Sequence, residues 1–261
     1  MVMLFIDHLP IWALFIVTVI LALVFIEIGF RLGRFRRKRS DQEQPAPVGA
    51  MVGATLGLLA FTLAFTFGMA ASRHDARKQL VLDEANAVAA TFLRSQLLPQ
   101  PYRDEIQNLL REYVDVRLEA VANPEKLAAG IARSGELHRL LWKQTVIVAE
   151  KHPTPINGLF ITSLNMVIDL HAKRITASTR NRIPPTIWIA LYMVAFLAMM
   201  AVGYHTGLSG SRRSIAALFQ ALAFSAVLML IADLDTPQEG LLKVGQEAMT
   251  DVQTMMQTSW R

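Results

Sequence analysis

Four long apolar segments interrupt the polar pattern of the chain. They cover residues 9–30, 48–71, 186–204 and 215–232, and Glu27 is the only charged residue within them. A helix needs roughly 20 mostly apolar residues to cross the hydrocarbon core of a bilayer. The pattern therefore predicts four transmembrane helices, arranged as two pairs on either side of a long polar segment.

The polar segment covers residues 72–183 and has apolar positions at helical spacing. It lacks the two-residue alternation and the Asn-Gly turns that are typical of β-hairpins. We therefore expect a helical extramembrane domain, whose last helix has an apolar stripe through Phe160, Leu164, Val167 and His171. Residues 233–261 form a C-terminal tail, and its weak amphipathic pattern predicts a surface helix. The predicted fold class is an all-α membrane protein.

Composition narrows the possible functions. The chain has 261 residues, of which 53% are hydrophobic, and it has no cysteine. The lack of cysteine excludes disulfides, thiolate metal sites and cysteine nucleophiles. The sequence also lacks the phosphate-binding loop, the nucleophile elbow and the dinucleotide-binding glycine pattern, so we expect neither an enzyme nor a cofactor. The net charge of +5 is assigned to residues that flank the spans, and no nucleic-acid partner is predicted.

The second apolar segment has two different faces on a helical projection. One face holds only small residues, which is typical of a ridge that another helix approaches closely. This small-residue ridge consists of Gly49, Gly53, Gly57, Ala60, Ala64, Gly68 and Ala71. It predicts tight packing within or between subunits, and a homo-oligomer is therefore expected.

The opposite face of the same segment carries hydroxyl groups and ends in a cation. Its residues are Thr55, Thr62, Thr66, Met69 and Arg73. Hydroxyl groups can replace hydration water along an ion path, and a ring of arginines at its mouth favours anions. These five residues are therefore predicted to line a pore for small inorganic ions. The alternative is that the threonines bond to their own helix or face a neighbouring one.

The other polar residues are expected to form salt bridges that stabilise the fold rather than a catalytic or metal site. The predicted polar network contains His74, Asp83, Glu84, Asn86, Arg94 and Arg111, with Arg117 as a further cation. Salt bridges between helices are the expected use, since no second histidine completes a metal-ligand spacing and no metal site is predicted. Glu27 is expected to pair with Arg31 one turn on, or else to form an ion or proton site. Asp233 and Asp235 predict either a turned helix terminus or a cation site.

Four blocks of sequence, in order along the chain, resemble the bestrophin-like family of bacterial integral membrane proteins. They are Phe67 to Leu118, which begins FGMAASRHDARKQLVLDEANAV, then LNMVIDLHAKR (Leu164 to Arg174), IPPTIWIAL (Ile183 to Leu191) and DLDTPQEG (Asp233 to Gly240). The resemblance implies a multi-pass protein of the bacterial inner membrane. It also implies a distant relation to bestrophins, which are oligomeric anion channels with a pore lined by their second membrane helix.

The sequence therefore supports two hypotheses for the function. The first is an oligomeric ion channel in the lipid bilayer, selective for anions if it follows the bestrophins and lined by the second span. The second is a non-conducting membrane sensor or assembly scaffold whose helical domain binds a partner. An exposed apolar face on the helical domain would favour the second function.

Basic residues predict the orientation in the membrane. Residues 31–39 are the densest basic run, and Arg212 and Arg213 lie in the other loop on the same membrane face. The positive-inside rule places these loops in the cytoplasm and the helical domain outside it. Basic residues on the domain side, such as Arg73 and Arg77, favour the reverse arrangement, and so does the resemblance, since bestrophins keep the large insertion in the cytosol. The short loops carry more weight in the rule, so an extracytoplasmic domain is expected.

Overall fold

The structure is a computed structural model that describes residues 10–39, 44–210, 215–236 and 240–258. These residues form eight α-helices, a short 3-10 turn at Pro124–Lys126 and no β-strand. In chain order the helices are α1 (Ile11–Arg39), α2 (Pro45–Ser95), α3 (Tyr102–Ala122), α4 (Leu127–Lys151), α5 (Pro155–Thr179), α6 (Pro185–Leu208), α7 (Ala216–Asp235) and α8 (Glu247–Thr258). The predicted all-α fold is confirmed.

Helices α1, α2, α6 and α7 are long and apolar enough to cross a membrane. They correspond to the four apolar segments of the sequence, so the prediction of four membrane-spanning helices is confirmed. At 51 residues, α2 is far longer than a bilayer requires, so the second span continues as one helix into the polar segment. Pro45 and Pro47 stand in its first turn, where the missing N–H groups break no helical hydrogen bond.

The chain divides into two compact units. We call Met1–His74 with Arg182–Lys243 the membrane unit, and Asp75–Asn181 with Val244–Arg261 the helical unit. α2 passes from the first unit to the second after His74. The last helix, α8, belongs to the helical unit, so the C-terminal segment that was expected to be a separate tail contributes to a core.

Glycines bring the main chains of α1 and α6 into contact in the membrane unit. Gly29 and Gly33 lie one turn apart on α1, and Gly203 and Gly207 lie one turn apart on α6. A β-carbon at any of the four would overlap main-chain atoms of the facing helix. Gly33 meets α6 one turn further along than Gly29 does, so the two helices run parallel. Small residues with this spacing are typical of closely packed membrane helices.

The core of the helical unit is formed by one apolar stripe from each of its helices. Its fully buried side chains include Phe92, Leu110, Tyr113, Leu141 and Leu164. α8 adds Met249, Val252 and Met256, whose spacing places them on one side of the helix. Full burial of such a side chain contributes about 1.5–3 kcal/mol, so α8 is a substantial part of this core.

Candidate functional site

The membrane part of α2 is buried along one stripe and uncovered along the opposite face. Leu59, Leu63 and Ala70 pack in the core of the membrane unit. On the uncovered face Ala64 is exposed, and no heavy atom lies within 4 Å of a β-carbon placed at Gly53, Gly57 or Gly68. A β-carbon placed at Gly49, at the start of the small-residue ridge, would instead lie 3.0 Å from the imidazole of His205. The described part of the chain therefore leaves most of the ridge without a covering helix.

The threonine face of α2 lies next to the stripe of the same helix that packs inside the membrane unit. Thr55, Thr62 and Thr66 each donate their hydroxyl to a main-chain carbonyl three or four residues earlier in α2, at 2.7–2.9 Å. Thr66 is only 3% exposed, and Met69 and Arg73 are half-buried. The pore-lining role of these five residues stays a prediction, and the hydroxyl groups already have a partner on their own helix.

Bulky apolar side chains lie beside the small-residue ridge on the uncovered face. Phe61 is 69% exposed, Phe65 is 64% exposed and Leu58 is 54% exposed. Because they follow one another at intervals of three or four residues, they form a single stripe along the helix. α2 thus presents a surface of which one half is made of small residues and the other half is bulky and apolar.

Glu27, the charged residue of the first span, pairs with Arg31. The Nε of Arg31 donates to Oε1 of Glu27 at 2.8 Å. The expected pairing one turn apart is confirmed. The side chain of Arg31 is 77% exposed and that of Glu27 is 32% exposed, so the two charges lie on the surface of the membrane unit rather than in its core.

A group of polar side chains lies in the middle of the helical unit, and we call it the Glu84 cluster. It consists of Glu84 on α2, Tyr113 and Arg117 on α3, His138 on α4, and His171 and Arg174 on α5. Glu84 and Tyr113 are completely buried. Four helices therefore meet at six polar side chains in a core that is otherwise largely apolar.

Both carboxylate oxygens of Glu84 have close partners. Oε1 accepts a hydrogen bond from the hydroxyl of Tyr113 at 2.6 Å. Oε2 lies 3.2 Å from Nε of Arg117 and 2.7 Å from Nε of Arg174. A buried charge is tolerated only when it is paired and hydrogen-bonded. Glu84 therefore ties α2 to both α3 and α5.

The two histidines extend this cluster. Nδ1 of His171 lies 3.0 Å from the hydroxyl of Tyr113 and 3.3 Å from Nη2 of Arg174. The ring of His138 packs against the rings of Tyr113 and His171, with centroids 4.9 and 4.8 Å apart. Its Nε2 is buried and has no hydrogen-bond partner among the described residues.

Burial and charge set the protonation state of the cluster. Burial alone would raise the pKa of Glu84, but the hydrogen bond with His171 and the charges of the two arginines lower it from 4.5 to about 2. Burial lowers the pKa of His138 from 6.5 to about 4, and the neighbouring His171 acts in the same direction. Burial also raises the pKa of Tyr113 well above its ordinary value. At neutral pH the cluster thus holds one carboxylate and two guanidinium ions, while His138 and Tyr113 are neutral.

Of the predicted polar network, only Glu84 belongs to this cluster. Arg117, which was expected as a further cation, is one of its partners, and Arg174 is the other. Glu84 is thus paired with arginines on α3 and α5, rather than with Arg94 or Arg111. The carboxylate pairs with cations that lie far from it in sequence.

The other five residues of the predicted network lie apart from the Glu84 cluster. Asp83 accepts a hydrogen bond from a glutamine one turn earlier on α2, at 2.9 Å. Arg94 donates to a main-chain carbonyl of α5 at 3.0 Å, and Arg111 lies over a core phenylalanine ring, 5.1 Å from its centroid. His74 is half-buried and Asn86 is exposed. Arg94 and Arg111 therefore join helices outside the cluster, whereas the hydrogen bond of Asp83 stays within α2.

Four members of the Glu84 cluster were not among the predicted site residues. They are Tyr113, His138, His171 and Arg174. His171 was treated as one more position of an apolar stripe, and the other three drew no prediction of a polar role. The signal that could have identified the two histidines and the tyrosine is a polar side chain inside an apolar stripe, because a buried polar group requires a partner.

The two aspartates at the end of α7 bind main-chain N–H groups. Oδ1 of Asp235 accepts from the N–H of Ile183 at 2.9 Å. The carboxylate of Asp233 accepts from the N–H groups of Leu241 and Leu242, at 2.6 and 3.1 Å. This arrangement favours the helix-terminus alternative over a cation site. In residues 10–258, outside the three undescribed gaps, no group of three or more His, Asp or Glu side chains is placed to hold a metal ion.

The lowered pKa of His138 predicts that acid destabilises the helical unit. His138 has a pKa of about 4 in the folded chain and 6.5 in the unfolded chain, so below pH 6.5 the unfolded chain binds the proton that the folded chain rejects. Stability is therefore complete above pH 6.5 and falls as the pH decreases toward 4, by roughly 3 kcal/mol in total. Glu84, whose pKa is lowered to about 2, extends the loss from pH 4.5 downward.

Thermal unfolding at a series of pH values between 7.5 and 4.5 would measure this loss. His138→Phe keeps a ring against Tyr113 and His171 but cannot be protonated, so its melting temperature should vary much less with pH over this range. His152→Asn, at an exposed position after α4, should keep the wild-type pH dependence. An equal pH dependence in His138→Phe and the wild type would show that another group is responsible.

Comparison with known proteins agrees with this architecture. The model of the bestrophin-like domain family matches residues 16–249. No curated protein matches the chain significantly by sequence. The chain is similar to crystal structures of a bacterial bestrophin homologue from Klebsiella pneumoniae. For one single-residue variant the TM-score is 0.68 at 15% identity, over 96% of this chain and 99% of that chain.

A second structure of the Klebsiella pneumoniae homologue, phased with zinc, has a TM-score of 0.65 at 15% identity, over 94% of this chain and 97% of that chain. At this identity the structural matches show a shared fold. The family model covers most of the chain, including the membrane helices and nearly all of the helical unit. The chain therefore belongs to the bestrophin-like family.

Proposed function

We propose that the protein is an oligomeric ion channel in which α2 lies nearest the central axis. The observation that carries this proposal is the uncovered face of α2 within the membrane unit. Its small-residue ridge allows a neighbouring copy to approach closely, which is how membrane helices associate. The relation to bestrophins, whose pore is lined by the second membrane helix, supports the same arrangement.

The bulky stripe of α2 is proposed as the narrow part of the ion path. Phe61 and Phe65 project from the uncovered face, and several copies around an axis would form apolar rings. Hydrophobic constrictions of this kind gate by losing and regaining water. The threonines, whose hydroxyl groups bond to their own helix, are less suited to the wall than this stripe. Arg73, at the end of the membrane part of α2, would then favour anions at the mouth.

Phe61→Ala is expected to increase ion flux through the protein, because alanines around the axis would leave a wider constriction that is wetted more easily. The measurement is halide flux in liposomes that contain the purified protein. Arg73→Glu should reduce the preference for halides over sodium in the same assay. We expect an increase in halide flux of at least severalfold for Phe61→Ala.

Phe219→Ala is the matched control for this experiment. Phe219 lies on α7 and is 61% exposed, close to the 69% of Phe61, but it lies outside α2. It should leave the flux unchanged. If the wild type and Phe61→Ala both stay silent over a range of pH, calcium and voltage, conduction along α2 is contradicted.

A non-conducting sensor or scaffold is the second candidate function. The observation that favours it is the set of exposed apolar side chains on the helical unit, such as Leu97 at 59%, Leu159 at 55% and Met166 at 54%. A surface of this kind is suited to a partner protein. It supports this candidate only if assembly of the oligomer leaves these side chains uncovered and the liposomes show no flux.

We propose that the helical domain lies outside the cytoplasm, following the basic loops. Four spans place both ends of the chain on the side of the membrane opposite residues 31–39. Alkaline phosphatase fused after Arg261 should therefore be active, and a fluorescent protein fused there should stay dark. Bright cytoplasmic fluorescence would reverse the orientation and restore the arrangement of the bestrophins.

A further inference from the structure

A cavity of about 430 Å³ lies between α1, α6 and α7 in the membrane unit. Its walls are mostly apolar and include Leu23, Ile26, Phe30 and Val202. The small side chain of Ala217 on α7 leaves space that a larger one would fill. The size lies in the range of cavities that bind small ligands, and all three helices are membrane-spanning.

A second groove continues this apolar surface around α1. It has a volume of about 450 Å³ and is lined by Ile20, Leu23, Val24, Glu27, Ile28 and Arg31. The cavity and the groove share Leu23 and Glu27. The apolar surface therefore passes around α1 at the level where its first charged residues appear.

The end of α1 beside the cavity is strongly basic. Its last nine residues hold six cations, Arg31, Arg34, Arg36, Arg37, Lys38 and Arg39, whereas Glu27 is the only acidic residue of the helix. Arg34 lies one turn after Phe30 and two turns after Glu27, so it extends the helix face that lines the cavity. Basic residues next to a membrane helix attract anionic lipid headgroups, and pockets between membrane helices with such residues bind them.

We propose that the cavity binds one acyl chain of an anionic phospholipid whose phosphate is held by the basic end of α1, including Arg34. The occupant needs an apolar chain for the walls and a negative charge at the end of the span. A phospholipid has both parts in the required order. Free phosphate lacks the chain, and phosphatidylcholine lacks the net negative charge.

The full-length protein in detergent would be mixed with dioleoyl phosphatidylglycerol, with dioleoyl phosphatidylcholine or with glycerol phosphate. Phosphatidylglycerol should raise the melting temperature by several degrees, and native mass spectrometry should retain one such lipid per chain. Phosphatidylcholine should give less than a third of this shift, although its acyl chains are the same. Glycerol phosphate should give none. Equal shifts with the two lipids would overturn the proposal.

Two variants test the two halves of the site. Ala217→Phe fills the cavity and should abolish the shift caused by phosphatidylglycerol. Arg34→Gln should weaken the binding of this lipid about fivefold, the effect of one basic residue near a membrane surface. Ala226→Phe on the exposed side of α7 and Lys143→Gln on the helical unit are the controls, and both should bind as the wild type does.

The proposal is overturned if Ala217→Phe and Arg34→Gln both keep the full shift. It is also overturned if Ala226→Phe loses the shift as completely as Ala217→Phe does. If a second copy of the chain fills the cavity instead, Ala217→Phe would change the oligomer mass while native spectra of the wild type show no retained lipid. That result would overturn the proposal as well.

Discussion

Glu84→Gln is expected to destabilise the helical unit by roughly 3–5 kcal/mol, the usual effect of removing one partner from a buried ion pair. The substitution keeps the shape of the side chain but removes its charge. Arg117 and Arg174 would then remain in the core as two like charges without a carboxylate between them. A domain is typically stable by only about 5–15 kcal/mol, so much of its stability would be lost.

Hydrogen exchange of the main-chain amides in detergent is the suitable measurement, because it reports on the helical unit separately from the membrane unit. Amides of α3 and α5 should lose protection, and the melting temperature should fall. Asp83→Asn is the matched control: it neutralises the adjacent carboxylate, whose bond to Gln79 joins two residues of the same helix. It should change stability by about 0.5 kcal/mol or less.

The double variant Glu84→Gln with Arg174→Met would test the physical reason for this loss. It removes one of the two cations together with the carboxylate, so part of the stability should return. If the double variant is less stable than Glu84→Gln alone, repulsion between the arginines is not the cause. Ion selectivity in liposomes should be the same in the wild type and in Glu84→Gln, since the Glu84 cluster is a structural centre.

A regulatory calcium site at Glu84 is the alternative reading of the same residue. It would require carboxylate oxygens that are available to the ion, whereas Oε1 accepts from Tyr113 and Oε2 faces two guanidinium groups. Calcium needs six to eight oxygen ligands. We therefore expect calcium to leave the melting temperature of the wild type unchanged. A rise that Glu84→Gln abolishes would make this helix a calcium sensor.

The four spans could be predicted from the sequence because hydropathy over about 20 residues depends little on the rest of the fold. The helical character of the polar segment was equally accessible from its periodicity. The contribution of α8 to the core was not. Its residues Met249, Val252 and Met256 have an amphipathic pattern, but a pattern shows only that one side is buried and not which surface covers it.

The glycines show the same limit in the membrane unit. Gly29 and Gly33 have the same one-turn spacing as glycines of the ridge on α2, and the ridge is longer. The structure uses the shorter pair to join α1 to α6 and leaves most of the longer ridge uncovered. Spacing identifies a surface that a helix can approach, but the choice between surfaces depends on the shapes of both partners.

The Glu84 cluster was only partly predictable for a related reason. A carboxylate on a helix that packs in a core must have cationic partners, and this much followed from the sequence. The identity of the partners did not, since Arg117 and Arg174 come from helices 33 and 90 residues further along the chain. The side-by-side placement of α2, α3 and α5 is a property of the folded unit.

Replacing a glycine with leucine should impair folding of the chain at Gly203 but only assembly of the oligomer at Gly57. Gly203→Leu places a side chain into the main chain of α1, and separating two packed helices is expected to cost more than about 3 kcal/mol. The variant should be poorly produced or aggregated. A β-carbon at Gly57 would meet no heavy atom within 4 Å, so the Gly57→Leu chain should fold as the wild type does.

The two variants should therefore fail in different ways on the same native gel. Gly57→Leu should run at a smaller oligomer mass, because its side chain projects from the small-residue ridge toward a neighbouring copy. The melting temperature of the monomeric chain should be unchanged. Leu63→Ala is the control: Leu63 is 5% exposed, and its truncation should lower stability by about 2–5 kcal/mol while the remaining folded protein assembles normally. Normal assembly of Gly57→Leu would mean that this face of α2 contacts lipid, and the proposed position of α2 at the centre of the oligomer would be wrong.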